Sequence, residues 1–268
     1  MGRPREARRI PLPSRRFEAA HRSCPLPMDL ETTLHFVYVA CMAAGALLFV
    51  SWMRNPRGVP TWEYLVAAVI PIWSGLAYLA MALGLGTVEV GGQTTYWARY
   101  ADWVVTTPLL LTALWMTATT RTEKRPHAPT LITIVVADVV MILCGLIGDL
   151  SDGPARYVYY WIGVGALVLI FWTVWGPLRR VARHDPEVAD VYDKAAGYLT
   201  LFWIGYPLTW ILGPSGIGLI GQTADTVLFI LLPVFSKVGF SILDLGLLRR
   251  IGGEAGHGAL RPSLAPAA

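Results

Sequence analysis

The chain has 268 residues, 54% of them hydrophobic and 15% charged, where an average soluble domain carries about 25% charged residues. Its formal net charge is +4, with the basic residues in connections and tails and the apolar residues gathered in long blocks. That distribution excludes an ordinary soluble domain, gives no sign of a nucleic-acid partner, and describes one membrane domain that nearly exhausts the chain.

The first 28 residues stand apart. "MGRPREARRIPLPSRRFEAAHR" holds seven arginines and no apolar core of signal-peptide length, so it is not a cleavable signal. Residues 1–28 are expected to be a disordered or non-native tail, with Met28 as the functional start; a basic arm that binds a surface is the alternative. Seven blocks then reach the roughly 20 residues a membrane helix needs: about 31–53, 62–85, 95–119, 129–149, 155–178, 196–213 and 218–248. The expected fold is all-α, a seven-transmembrane-helix bundle over residues 29–250, followed by a disordered tail at 251–268.

The connections are short. "RNPRGVP" (54–60) is a Pro/Gly turn, and "GTVEVGGQTT" (86–95) is a Gly-rich, hairpin-like loop. "TRTEKRPHAP" (120–129), "DLSDGPAR" (149–156) and "GPSGIG" (213–218) follow, and the longest, "RRVARHDPEVADVYDK" (179–194), reads as partly helical. Basic residues favour the cytoplasmic side. Arg54, Arg57, Arg121, Lys124, Arg125, Arg179, Arg180, Arg183, Lys194, Arg249 and Arg250 fall on one side, and only Arg156 on the other. The N-terminus is therefore expected outside and the C-terminus in the cytoplasm, in a multi-pass plasma-membrane protein. Cys24, Cys41 and Cys144 lack paired spacing, and no metal site, CxxC, phosphate loop or internal repeat is expected.

Ionisable groups inside lipid-spanning segments are costly and mark functional sites. The spans hold Glu63, Arg99, Asp102, Asp138, Asp225, Lys237 and Asp244. Glu63, Asp225 and Asp244 read equally as solvated helix ends, whereas Arg99, Asp102, Asp138 and Lys237 lie deeper. Arg99 precedes Asp102 by three residues and shares its face. Asp244 follows Lys237 by seven, roughly 10 Å along the same face, and Asp225 lies about three turns before it. An acid on each side of a central amine suggests a proton path; a plain Lys237–Asp102 salt bridge is the alternative.

"FWIGYPLTW" puts Trp203, Tyr206 and Trp210 on one face of the sixth span, Trp103 follows Asp102, and Met141 and Gly145 share a face of the fourth. Such a stripe is helix packing, or the wall of a slot for a flat conjugated ligand. A lysine in an apolar pocket forms a Schiff base with an aldehyde. A protonated imine then needs a carboxylate counterion, which Asp102 supplies.

"RYADWVVTTPLLL" (99–111), "WIGYPLTWILGPSG" (203–216) and "SKVGF" (236–240) resemble the third, sixth and seventh helices of microbial rhodopsins. The resemblance covers about residues 30–250. It implies all-trans retinal bound to Lys237 as a protonated Schiff base, with Asp102 as counterion, Arg99 organising the extracellular half and Thr106 a turn below Asp102. It implies a chromophore lining of Trp103, Thr107, Leu110, Met141, Gly145, Trp203, Tyr206, Trp210 and Pro233. It also implies a lipid bilayer as surroundings, a homo-oligomer (a trimer in the family), and no enzymatic activity.

The chain departs from the family's outward proton pumps in three respects. Pro233 stands where a second carboxylate precedes the lysine, Ala113 stands at the cytoplasmic donor, and the extracellular acid pair is Ser215 and Asp225. "SWMRNPRGVPTWEYLVA", "IPIWSGLAY" and "LLPVFSKVGFSILDL" are similar instead to Anabaena sensory rhodopsin and the xenorhodopsins, a group for which the proline is characteristic. The resemblance implies light-driven inward proton transport, with Asp244 accepting or relaying the proton and Glu63 joining the exit. The alternative is a photochromic sensor acting through a soluble cytoplasmic transducer; an outward pump is disfavoured by Ala113 and Pro233. Asp138 is expected as a neutral, hydrogen-bonded acid near the ring end of the chromophore. An aspartate there is found in an inward pump of the group and an amide in the Anabaena sensor.

Overall fold

The computed structural model describes residues 29–122 and 128–258; the basic segment 1–28 with Cys24, the pair Lys124 and Arg125, and residues 259–268 lie outside the described residues. Its helices in chain order are α1 (Leu30–Met53), α2 (Thr61–Ala82), α3 (Trp97–Thr119), α4 (Ala128–Asp149), α5 (Ala155–Ala182), α6 (Pro186–Leu212) and α7, which runs from Gln222 in three consecutive pieces, Gln222–Pro233, Val234–Gly239 and Phe240–Gly258. Neighbours in sequence pack side by side, α7 returns to α1, and α3 also packs on α6. The result is a closed bundle with α3 at its centre, where Leu110, Leu111 and Leu114 are fully buried. The outside is apolar: Leu47 is 71% exposed and Trp161 64%, a surface that only a bilayer covers well.

Six of the helices are long and apolar enough to cross a membrane by length and composition. The third is not among them, although it is 23 residues long. It carries Arg99 and Asp102, and it is rich in threonine. Thr106, Thr107, Thr112 and Thr117 return their hydroxyls to the carbonyls four residues back, at 2.9, 2.7, 2.7 and 3.2 Å. Their polarity is thus satisfied within the helix, and its neighbours shield the rest.

The loop 86–95 is a two-stranded hairpin, β1 (Val88–Val90) against β2 (Gln93–Thr95). Its turn is Gly91-Gly92, both with positive φ (59° and 79°), as a two-residue hairpin turn of this kind requires. This hairpin marks one end of the bundle, here called the hairpin end. The opposite end carries the connections with Arg54, Arg121 and Arg183 and is called the basic end.

The expected loop 179–194 is nearly absent. The fifth helix continues to Ala182 through a widened π-type turn, Val174–Leu178, which contains Pro177. Tyr192 donates its hydroxyl to the Val174 carbonyl at 2.6 Å. The sixth helix starts ten residues earlier than its apolar block, because Asp185 caps it (2.8 Å from the Glu187 amide, 3.3 Å from that of Val188) and Pro186 occupies its first turn. Only residues 183–185 connect them. Residues beyond 250, read from sequence as a tail, continue the last helix as far as Gly258.

Candidate functional site

The last helix changes pitch where its lysine sits. Pro233 has no N–H to donate to the Phe229 carbonyl, and a π-type turn follows immediately, Val234–Gly239. Tyr78 of α2 donates its hydroxyl to that carbonyl at 2.6 Å. The widened turn presents Lys237 to the bundle interior, where its side chain has no exposure.

Lys237 is ion-paired with Asp102, which is equally buried. The Asp102 carboxylate also receives the Ser74 hydroxyl at 2.8 Å and the Thr106 hydroxyl at 3.2 Å. Ser74 lies 2.9 Å from the lysine Nζ and 2.5 Å from the Tyr38 hydroxyl. The anticipated pairing of Lys237 with Asp102 is thus present, with Thr106 one turn along. Ser74, Tyr38 and Tyr78 complete the surroundings and were not read from sequence. The only signal for Ser74 is one hydroxyl in the run "IPIWSGLAY".

Towards the hairpin end, Arg99 pairs with Asp225 at 3.1 Å rather than with Asp102, and both side chains are buried. The guanidinium lies 4.4 Å above the Tyr96 ring and 4.7 Å from that of Phe229, and its Nε and Nη2 have no hydrogen-bond partner among the described residues. These groups border a polar chamber shared with Asp149, Arg156, Ser215 and Gln222. Nearby, His35 of α1 is buried between the Tyr78 and Tyr96 rings with Nε2 unpartnered, and Tyr96 donates to Glu31 at 2.6 Å.

Towards the basic end, Asp244 is buried and accepts the Thr117 hydroxyl at 2.8 Å. Glu63 is also buried, in the first turn of α2 at the same end. Neither is a solvated helix end. At the mouth, Arg249 donates to the carbonyls of Trp52 and Asn55 and to the Tyr64 hydroxyl, at 2.8–3.1 Å.

A cavity with about 710 Å³ of space free of atoms, part of it open, lies between α3, α4, α5 and α6, with Phe229 of α7 in its wall. Its lining is almost wholly apolar and includes the anticipated Trp103, Thr107, Met141, Gly145, Trp203, Tyr206 and Trp210. Tyr100, Tyr160, Leu167 and Phe229 add walls that sequence reading missed. Leu110 and Pro233 are not in the lining, and Leu110 belongs to the main core instead. Lys237 is not in the lining either; Tyr206 links the two regions, since it walls the cavity while its hydroxyl lies 2.8 Å from that of Ser236. Gly145 keeps the slot open: a Cβ there would stand 3.1 Å from the Tyr100 ring.

Thr107 of the lining is bonded to Asp138 of α4 behind it. The Thr107 Oγ1 lies 2.7 Å from both the Trp103 carbonyl and an Asp138 carboxyl oxygen. Thr107 thus ties Asp138 to the third helix, and the other Asp138 carboxyl oxygen has no hydrogen-bond partner among the described residues. A buried lysine paired with a carboxylate, next to Ser236 whose hydroxyl meets Tyr206 of an aromatic cavity, fits an elongated conjugated aldehyde.

Residues 29–251 match the family model described as bacteriorhodopsin-like protein. The chain belongs to this family, the microbial type 1 rhodopsins. Archaerhodopsin-3 of Halorubrum sodomense is 37% identical over 188 residues, covering 68% of this chain and 70% of that protein. Sensory rhodopsin-2 of Natronomonas pharaonis is 30% identical over 228 residues, covering 84% and 92%. Among solved structures, the light-driven proton pump Coccomyxa subellipsoidea rhodopsin superposes with a TM-score of 0.74 at 30% identity, covering 80% of this chain and 95% of that one. Members of the family bind retinal through a lysine Schiff base and act as light-driven pumps and sensors, not as enzymes in the usual sense. The chain is thus a multi-pass membrane protein for light-driven ion transport or sensing.

Proposed function

We propose that the chain is a light-driven inward proton pump of the xenorhodopsin and Anabaena sensory rhodopsin-like group, with all-trans retinal held on Lys237 as a protonated Schiff base. Trp103, Thr107, Met141, Gly145, Trp203, Tyr206 and Trp210 would hold the polyene and ring. When bound, retinal supplies visible absorption and a light-driven change of shape at the lysine nitrogen.

The observation that carries the direction is the unequal state of the two acids flanking Lys237. Asp102 already receives the lysine, Ser74 and Thr106. It is therefore engaged as the counter-charge to the lysine nitrogen. Asp244 receives Thr117 alone among the described residues and lies two turns towards the basic end. It takes the proton there, and Glu63 hands it on to the basic-end solvent. Arg99 and Asp225 hold the opposite chamber, through which the nitrogen is reprotonated. With the basic end in the cytoplasm, this is inward transport.

The test is the pH of an unbuffered suspension of expressing cells with retinal, under illumination. Alkalinisation abolished by a protonophore is expected; acidification overturns the direction. The second reading, a photochromic sensor with a soluble transducer, draws on the likeness to sensory rhodopsin-2. It predicts a visible band and a photocycle with no pH change.

A further inference from the structure

Ser74 sits where three polar groups meet. Its Oγ is 2.9 Å from Lys237 Nζ, 2.8 Å from Asp102 Oδ2 and 2.5 Å from the Tyr38 hydroxyl, and Ser74 and Tyr38 are both fully buried. A serine hydroxyl has one hydrogen and two lone pairs, an ammonium only donates, and an ionised carboxylate only accepts. The hydrogens then have one consistent arrangement. Lys237 donates to Ser74, Ser74 donates to Asp102, and Tyr38 donates to Ser74. The reverse, Ser74 donating to Tyr38, would leave two oxygens 2.8 Å apart with no hydrogen between them.

Every other group facing Asp102 is otherwise engaged or less committed. On its own helix, Thr106 divides its hydrogen between the Asp102 carboxylate (3.2 Å) and the Asp102 carbonyl (2.9 Å), and Arg99 is taken by Asp225. On α2, Tyr78 donates to the Phe229 carbonyl. On α6, Tyr206 is bound to Ser236. On α7, Lys237 is the ion-pair partner, and Pro233 brings no second carboxylate. Ser74 is thus the neutral donor committed to Asp102, and donation from Tyr38 strengthens its O–H as a donor.

We propose that Tyr38 and Ser74 form a hydroxyl relay from α1 through α2 to the Lys237–Asp102 pair, and that these two positioning residues support Asp102 as the counter-charge in a chain that has Pro233, not a second acid, one turn before the lysine. The proposal rests on the assignment of Asp102 as counterion to Lys237. It adds two residues on the two helices that the chromophore cavity does not touch.

The experiment is an acid titration of the retinal-bound protein, following the colour change that accompanies protonation of Asp102. Ser74→Ala is expected to move the midpoint up by roughly one pH unit or more. Tyr38→Phe moves it the same way by less, and Ser74→Thr, which restores the hydroxyl, returns it to within about 0.3 unit of wild type. Tyr38→Phe loses one oxygen, keeps the stacking on Tyr78 (centroids 3.7 Å apart), and serves as the folding-safe variant. An unmoved midpoint in Ser74→Ala, or an equal shift in Ser74→Thr, overturns the relay. The carboxylic C=O stretch of Asp102, assigned against Asp102→Asn, gives the midpoint by infrared in retinal-free protein. A wild-type chain that takes up no retinal would therefore sink the Lys237 reading while the infrared midpoints still decide this one.

Discussion

Asp102 and Asp244 carry the same side chain and differ in the donors around it. Replacing Asp244 by Asn removes the proposed acceptor and keeps its shape; inward transport per absorbed photon is expected to fall by roughly tenfold or more, read as the initial rate of light-induced pH change. Thr117→Val removes the donor to Asp244 together with its longer bond to the Ala113 carbonyl and is expected to slow proton transfer by several-fold, about the worth of one hydrogen bond to a charged group. Unchanged photocycle kinetics in both variants would remove Asp244 from the path. Lys237→Ala abolishes the visible band on addition of retinal, and a band that survives it would remove the Schiff-base assignment. These residues were legible because a charge inside an apolar run is expensive and therefore rare. Ser74, Tyr38 and Thr117 were not, because a hydroxyl inside a membrane helix costs little and settles on a neighbouring carbonyl or helix in most cases. Only the distances that bring Tyr38, Ser74, Asp102 and Lys237 together separate them from ordinary span residues.

At the scale of the helix, Pro233 explains both a loss and a gain. It removes the acid that the family's outward pumps place there and leaves the Phe229 carbonyl without its helical donor. Tyr78 fills that vacancy at 2.6 Å in a site with no exposure. Tyr78→Phe should leave a buried acceptor unsatisfied and destabilise the folded pigment by about 1–3 kcal/mol. Thermal bleaching at a lower temperature, with the visible band intact before heating, is the expected result; an unchanged bleaching temperature would mean that the π-type turn satisfies the carbonyl unaided. Helix boundaries show where hydropathy stops being informative. The apolar block of the sixth span begins at 196, yet Asp185-Pro186 is a readable capping pair that starts the helix at Pro186. Its first turns are polar because they stand at the basic end, tied to the fifth helix by Arg179 and Asp193 at 2.6 and 2.7 Å. The third helix shows the converse: too polar to qualify by hydropathy, it forms the centre of the bundle because its threonines bond to their own backbone.

Across the whole molecule, the acids and the basic connections define one axis. Asp225, Arg99 and Asp102 lie from the hairpin end inward, and Asp244 and Glu63 lie towards the end that carries Arg54, Arg121, Arg183 and Arg249. A light-driven pH change in intact cells reports the product of two signs, the direction along this axis and the orientation in the membrane. A second observation is needed to separate them. An epitope after residue 268 should be reachable only in permeabilised cells, because short connections rich in Arg and Lys stay in the cytoplasm. With that orientation, alkalinisation of the medium means transport from the hairpin end to the basic end, and inverted vesicles should acidify theirs. An epitope reachable from outside, together with alkalinisation, would mean movement from the basic end to the hairpin end. Asp244 would then stand on the uptake side, and the pairing of Asp102 with Lys237 would not be what sets the direction.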